Sequence, residues 1–261
     1  MLDNLKGHPV QQFAAVLCLL LWVFSILSSS ASAEVIQKPE FSLTLPEGWV
    51  EIPKETLELM TATAQAKVPS IQLAPYECGF QLASGKSGLS PPYILVQWTG
   101  KGKRLSEKQL RSMQKIDIKK TVKDSGIDSE SIVPNAALGQ MKYDEASNTL
   151  WMDMEAGSEA VGMGRSVMAG FPTEKGLLQV TGHFMSADAD ADLPAFHQIV
   201  QSIVISPEIA YRTHWSDDLQ GGYQNQFGPK QALLWLGSLI GLLVVIRWRQ
   251  RAMSGTNTTL K

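Results

Sequence analysis

Apolar and polar positions recur along this chain in patterns that predict a mixed α+β domain lying between two long apolar runs. Phe41-Ser42-Leu43-Thr44-Leu45 alternates apolar and polar over five residues, the pattern of a strand with one buried face. Pro46-Glu47-Gly48 breaks it. After Trp49, Val50 and Ile52, Pro53 suits the first position of a helix running to about Lys67, with Leu57, Met60 and Ala64 on one face and Pro69 forbidding continuation. Tyr76, Cys78, Phe80 and Leu82 alternate with Glu77, Gly79 and Gln81, which predicts a strand that points Cys78 the same way as Tyr76, Phe80 and Leu82 and buries its thiol. Tyr93–Trp98 is almost continuously apolar, so it should be covered on both faces and lie centrally in a sheet.

Ser106 and Gln109 have the spacing of a capping box, opening a helix whose stripe Leu110, Met113, Ile118 and Val122 ends near Gly126. Two hairpins follow. One joins Gly139–Tyr143 to Leu150–Glu155 through Asp144–Asn148, and the other joins Gly162–Phe171 to Leu177–Met185 through Pro172–Gly176. Phe196, Ile199, Val200 and Ile203 then recur at helical spacing, and Val204-Ile205-Ser206 supplies a last short strand. The fold class these elements define is α+β: a central antiparallel sheet with about three helices packed on it, plus one C-terminal transmembrane helix.

The two apolar runs set the topology. Phe13–Leu27 is followed by Ser-Ser-Ser-Ala-Ser-Ala at 28–33, so residues 1–33 read as a signal peptide cleaved after Ala33. Its n-region offers only Lys6 and the terminal amine against Asp3, and an uncleaved anchor is the alternative. Cys18 follows Leu17 rather than a small residue, which argues against a lipidated cysteine. At the other end, Ala232–Ile246 is short of the roughly 20 residues that a hydrocarbon core of about 30 Å requires. The span closes if Lys230 and Arg247 snorkel and Trp235 and Trp248 sit at the interfaces, giving a transmembrane helix over 230–248; a buried soluble helix is the alternative. Arg247, Arg249 and Arg251 place the tail 249–261 in the cytoplasm, the domain 34–206 outside and a stalk at 207–229. The expected location is a cell membrane crossed once, with the domain periplasmic in a Gram-negative cell. Gly237 and Gly241 have the small-xxx-small spacing through which two such helices can pair, leaving a homodimer open.

Composition adds exclusions. With 18% charged residues, 44% hydrophobic residues and a formal net charge of −2, the chain lacks the signature of disorder and the basic excess of a nucleic-acid-binding protein. After cleavage one cysteine remains, so no intramolecular disulfide forms. A cysteine hydrolase would need His183, His197 or His214 beside Cys78. The alternation turns His183 away from Val180 and Phe184, His197 lies on the polar side of its helix and His214 falls in the stalk, so a packed structural cysteine is the expectation. Asp188, Asp190 and Asp192 are spaced like calcium ligands, but Leu193 and Ile199 stand where such a loop needs glycine and glutamate; Asp192 is instead a candidate helix cap. Gly85-Lys86-Ser87-Gly88 lacks the spacing of a phosphate-binding loop. Arg165 should point with the apolar Val161, Met163, Val167 and Ala169; the expectation is a bulge that turns it to solvent, and the alternative is a partly buried anion-pairing site. No catalytic, cofactor-binding or metal-binding residue is therefore assigned.

The two ends of the domain, Phe41-Ser42-Leu43-Thr44-Leu45-Pro46-Glu47-Gly48-Trp49 and Phe196-His197-Gln198-Ile199-Val200-Gln201-Ser202-Ile203-Val204-Ile205, together resemble the PsbP and DcrB-like group. That resemblance implies an antiparallel sheet sandwiched by helices over about 165 residues. It also implies a non-catalytic extracytoplasmic accessory factor that binds an unidentified protein partner, with a small-ligand carrier or a Cys78-dependent hydrolase as alternatives. A C-terminal anchor departs from soluble or lipid-anchored members of the group. A reporter active only in the cytoplasm should work when fused after Lys261, and one that works only outside the cell would reverse the topology.

Overall fold

The computed structural model describes residues 33–67, 73–83, 89–99, 104–118, 120, 136–158 and 162–214. The expected signal peptide up to residue 32 and the expected membrane helix, with Lys230, Trp235, Gly237, Gly241, Arg247, Trp248, Arg249 and Arg251, lie outside the described residues. Among the described residues no helix is long and apolar enough to cross a membrane.

Chain order is β1 (Glu34–Gln37), β2 (Phe41–Leu45), β3 (Trp49–Glu51), α1 (Lys54–Lys67), β4 (Tyr76–Leu82), β5 (Tyr93–Thr99) and α2 (Glu107–Met113). It continues with β6 (Ala137–Leu138), β7 (Lys142–Asp144), β8 (Thr149–Ser158), β9 (Gly162–Thr173), β10 (Gly176–Met185), α3 (Ala189–Gln201) and β11 (Val204–Ile205). An eight-stranded antiparallel sheet runs β3-β4-β5-β10-β9-β8-β6, with β7 also on β8, and a separate ribbon runs β1-β2-β11. The single sheet expected from the sequence is thus two, because β2 turns away at Gly48, which adopts φ +83°.

Every residue of β5 is buried, as its unbroken apolar run requires, and β10 beside it is buried through Phe184. One face carries Cys78, Phe80, Ile94, Val96, Leu178, Val180 and Phe184, covered by Phe41, Leu43 and Leu45 of the ribbon and by Phe196, Ile199 and Val200 of α3. The opposite face packs Tyr93 and Leu95 against Leu57 and Met60 of α1. It also packs Leu150, Met152, Met154 and Met168 against Leu110 and Met113 of α2 and against Ile118. For convenience these are the α3 face and the α1 face.

Two expected elements are altered. Ser106 and Gln109 form the capping box, but tight bonds from Lys115 N–H to the Ser112 carbonyl and from Ile116 N–H to that of Met113 close α2 early. Leu110, Met113 and Ile118 are buried all the same, on a broken path rather than one helix. In β4 the register shifts between Tyr76 and Cys78. This bulge sends Tyr76 to the α1 face while Cys78 and Phe80 stay on the α3 face, so the three do not share a side.

The two ends of the domain meet. β11 pairs with β2, and Ser202 at the end of α3 accepts from Thr44 N–H at 2.8 Å while donating to the Ile199 carbonyl at 2.7 Å. Beyond Ser206, where a stalk was expected, the chain remains docked through His214. Ile209 is buried and Ala210 bridges to Thr173. The Glu174 carboxylate accepts from Arg212 N–H at 2.9 Å and from Arg104 Nε at 3.1 Å. It also lies 3.3 Å from His214 Nε2. Burial alone would raise the Glu174 carboxyl, but the bonds from Arg212 and Arg104 bring it below its ordinary value.

α3 can sit close over β10 because residue 182 has no side chain. A Cβ there would lie 2.6 Å from Phe184 and 2.7 Å from Phe196, two rings already packed edge to face at 5.8 Å between centroids. Gly182→Ala should therefore lower stability by about 1–3 kcal/mol in urea unfolding. A variant as stable as the parent would mean that α3 is not seated this closely.

Candidate functional site

The sheet separates the residues that a cysteine hydrolase would need to bring together. Cys78 is 1% exposed on the α3 face, and burial pushes its thiol up to about 12, away from the reactive thiolate. His183 lies on the α1 face, across the sheet from it. His197 projects from α3 against Trp151 of β8, at 5.3 Å between rings; β8 lies four strands from β4 in the sheet order, about 19 Å at the usual strand spacing. His214 contacts Glu174. None of the three is placed to take a proton from Cys78.

Arg165 does not bulge out. The β9 register is continuous with both β8 and β10 through this position, and the guanidinium is held by Asp153, with Nε 3.1 Å from both carboxylate oxygens, and by Asp190 of α3 at 3.6 Å. The bond to Asp153 raises the Arg165 pKa, so the charge is fixed. The partly buried pairing site foreseen as the alternative exists, and its anions are the protein's own carboxylates. α3 begins after Asp188, whose side chain makes no capping bond. Asp192 lies inside the first turn and does not cap the helix; burial, then the nearby Asp188, raises its carboxyl. Among the described residues no group of three acidic, histidine or cysteine side chains could hold a metal.

Polar side chains instead collect on the α1 face. Cross-strand register places Gln81 opposite Tyr93, Tyr93 opposite His183 and His183 opposite Ser166, a row across β4, β5, β10 and β9. His183 and Ser166 are fully buried. Ser166 Oγ is 2.8 Å from His183 Nδ1, and the Tyr93 ring stacks on the imidazole at 4.6 Å and 26°. Four residues along β10, buried Gln179 lies opposite buried Gln97 and donates through Nε2 to Thr181 Oγ1 at 3.2 Å. Gln81 Oε1, Gln179 Oε1 and His183 Nε2 are buried with no hydrogen-bond partner among the described residues.

This band is uncharged. Burial pulls the His183 pKa down to about 3, so the ring is neutral at physiological pH. Burial raises the hydroxyls of Tyr76 and Tyr93 as well, the latter further raised by Tyr76. The alternation correctly turned His183 away from Phe184, but the side it turns to is covered too. Gln97, interrupting an otherwise apolar two-sided strand, was the one sequence signal of a polar core.

The domain so defined is an antiparallel α+β sandwich with an uncharged polar band beneath its helices. No family model matches the chain, and no curated protein does. Solved structures to which it is similar in fold include the following three. The solution structure of cyanobacterial PsbP (CyanoP) from Synechocystis sp. PCC 6803 shares 9% identity over 69% of this chain and 95% of that one, with a TM-score of 0.44. LpqN, involved in cell envelope biogenesis of Mycobacterium tuberculosis, shares 11% over 71% and 96%, with a TM-score of 0.37. PA94 from Pseudomonas aeruginosa, a protein of unknown function and putative regulator, shares 14% over 67% and 98%, with a TM-score of 0.34. At these identities the likeness is one of fold.

His183 makes stability depend on pH. Its native pKa, about 3, lies below the ordinary value of 6.5, so its contribution is complete above pH 6.5 and is lost as pH falls toward 3. In urea unfolding, the parent should lose up to about 1.4 kcal/mol per pH unit more than His183→Gln across that window. Parallel pH profiles would show that His183 is not buried neutral.

Proposed function

We propose that the chain is a membrane-anchored, extracytoplasmic, non-catalytic interaction module that presents its α+β domain to a protein partner at the membrane surface. The apolar run Ala232–Ile246 with its following arginines supports the tether, and the small-residue sequence before Glu34 supports export. Burial of Cys78 and its separation from the histidines weigh against the thiol-hydrolase alternative.

The observation that carries the interaction reading is the outer face of the ribbon. Phe41, Leu43 and Leu45 of β2 point into the core, so Ser42 and Thr44 face outward, with Val204 opposite Ser42 and Val35 opposite Thr44. These valines are 63% and 64% exposed. Two bared β-branched side chains on a small sheet, beside the edge of β1, which pairs with β2 alone among the described residues, suit an interface better than free surface.

A photo-crosslinking residue at Val35 or Val204 of the full-length chain in intact cells should trap one protein that the same residue at Glu58, exposed on α1, does not. With the crosslinking residue at one valine, aspartate at the other (Val204→Asp or Val35→Asp) should abolish the trapping and change unfolding free energy by less than about 0.5 kcal/mol. Failure to trap a protein from either valine, or trapping that survives the aspartate, would refute the reading.

A further inference from the structure

We propose that two copies of this chain pair through the outer edge of β1, as antiparallel strands related by a two-fold axis at Ile36. The direction of each backbone group in the ribbon follows from its bonds. Lys38 N–H donates to the Phe41 carbonyl at 2.9 Å, and the register runs on from there with Ile36 opposite Leu43 and Glu34 opposite Leu45. Residues 34, 36 and 38 therefore bond towards β2, and in an antiparallel ladder the alternate residues bond the other way. The far side of β2 agrees: Thr44 N–H donates to Ser202 Oγ and the Glu40 carbonyl accepts from Ser206 N–H, both towards β11. The N–H and C=O groups of Val35 and Gln37 thus point away from β2, at an edge on which, among the described residues, no strand lies.

What this edge carries singles out a second copy as its occupant. Proteins blunt exposed edges with proline, bulges or charges, yet at the centre of β1 Val35, Ile36 and Gln37 supply none of these, and the register with β2 is unbroken. With Ile36 on the axis, Val35 of each copy lies opposite Gln37 of the other, so the open backbone groups of both residues are satisfied. The two Ile36 side chains, each partly buried at the rim of the core, then meet across a non-hydrogen-bonded pair, the closer kind. In the same register Glu34 of each copy falls opposite Lys38 of the other, an opposite-charge pair at both ends. Centring the axis on Val35 or on Gln37 instead sets Ile36 against Glu34 or against Lys38, and loses both matches. Self-complementarity of this kind is what a two-fold contact requires and a foreign strand does not. The contact uses the edge of β1 rather than the outer face of the ribbon, so it adds to the partner reading without resting on it, and it sets the outer faces of two ribbons side by side.

The test uses the purified full-length chain in detergent micelles, with the parent, whose Cys78 is buried, as control. Ile36→Cys should form a disulfide-linked dimer under mild oxidation, because the opposed Cα atoms of a non-hydrogen-bonded pair lie about 4.5 Å apart, within disulfide reach. Val35→Cys should not, because its two copies stand on a diagonal, about 7–8 Å apart. Within the Ile36→Cys chain, Glu34→Lys and Lys38→Glu should each weaken the dimer about tenfold by opposing like charges. Mixing those two variants should restore it, since one is then basic at both positions and the other acidic. Should Ile36→Cys fail to fold, sedimentation of the parent, the two charge variants and their mixture gives the same comparison. The proposal is overturned if folded Ile36→Cys stays unlinked, if Val35→Cys links as readily, or if the dimer is indifferent to the charges, as one held by the membrane run would be. None of these readouts involves Val204 or a second kind of protein, so failure here leaves the partner reading standing.

Discussion

The pairing of β5 with β10 is the constraint on which the rest of the domain depends. Both strands are buried on both sides over nearly their full length, and a two-sided apolar strand is stable only where a layer covers each face. α3 and the ribbon form one layer, and α1, α2 and the Ile118 region form the other. Close approach of the first layer depends on Gly182, the one β10 position beneath Phe196 that carries no side chain.

That two-layer demand explains how chain segments far apart in sequence are joined. The β2 strand must turn its apolar side onto the sheet, which leaves its backbone edges to β1 and β11. Ser202 then ties α3 to β2 through the Thr44 amide. The chain after β11 is held at the β9–β10 turn by Glu174, which gathers the Arg212 amide, Arg104 and His214 around one carboxylate. As a result the ribbon and the chain through His214 are both tied to the central sheet and its turns.

The same covering layers create the polar band. Side chains that a one-sided sheet would leave in water, such as His183 and Gln179, are here enclosed, and burial rather than any charged neighbour holds the imidazole neutral. Charge is kept to the margins: Arg165 meets Asp153 and Asp190 on the other face, and Arg111 meets Glu107 and Glu145 at the rim of α2. Surface pairs of this kind contribute little to stability. The core is therefore neutral on both faces, and its unusual feature is the unmatched hydrogen-bonding capacity of one of them.

By itself the sequence determined which residues are apolar and with what period, and this sufficed for the strand at Phe41–Leu45, the helix bearing Leu57, Met60 and Ala64, the capping box at Ser106, both hairpins and the burial of Cys78. These are local properties, set by backbone periodicity and turn chemistry within a few residues. Tertiary structure decided what no local pattern carries: that a bulge sends Tyr76 and Cys78 to opposite faces, that Arg165 stays in register because Asp153 and Asp190 await it, and that the chain stays docked to His214. It also decided that the polar side of β10 is enclosed. Alternation states which side of a strand a residue occupies, but only the neighbouring layers determine whether that side meets water, and on that difference His183 changes from a surface histidine into the centre of the candidate site.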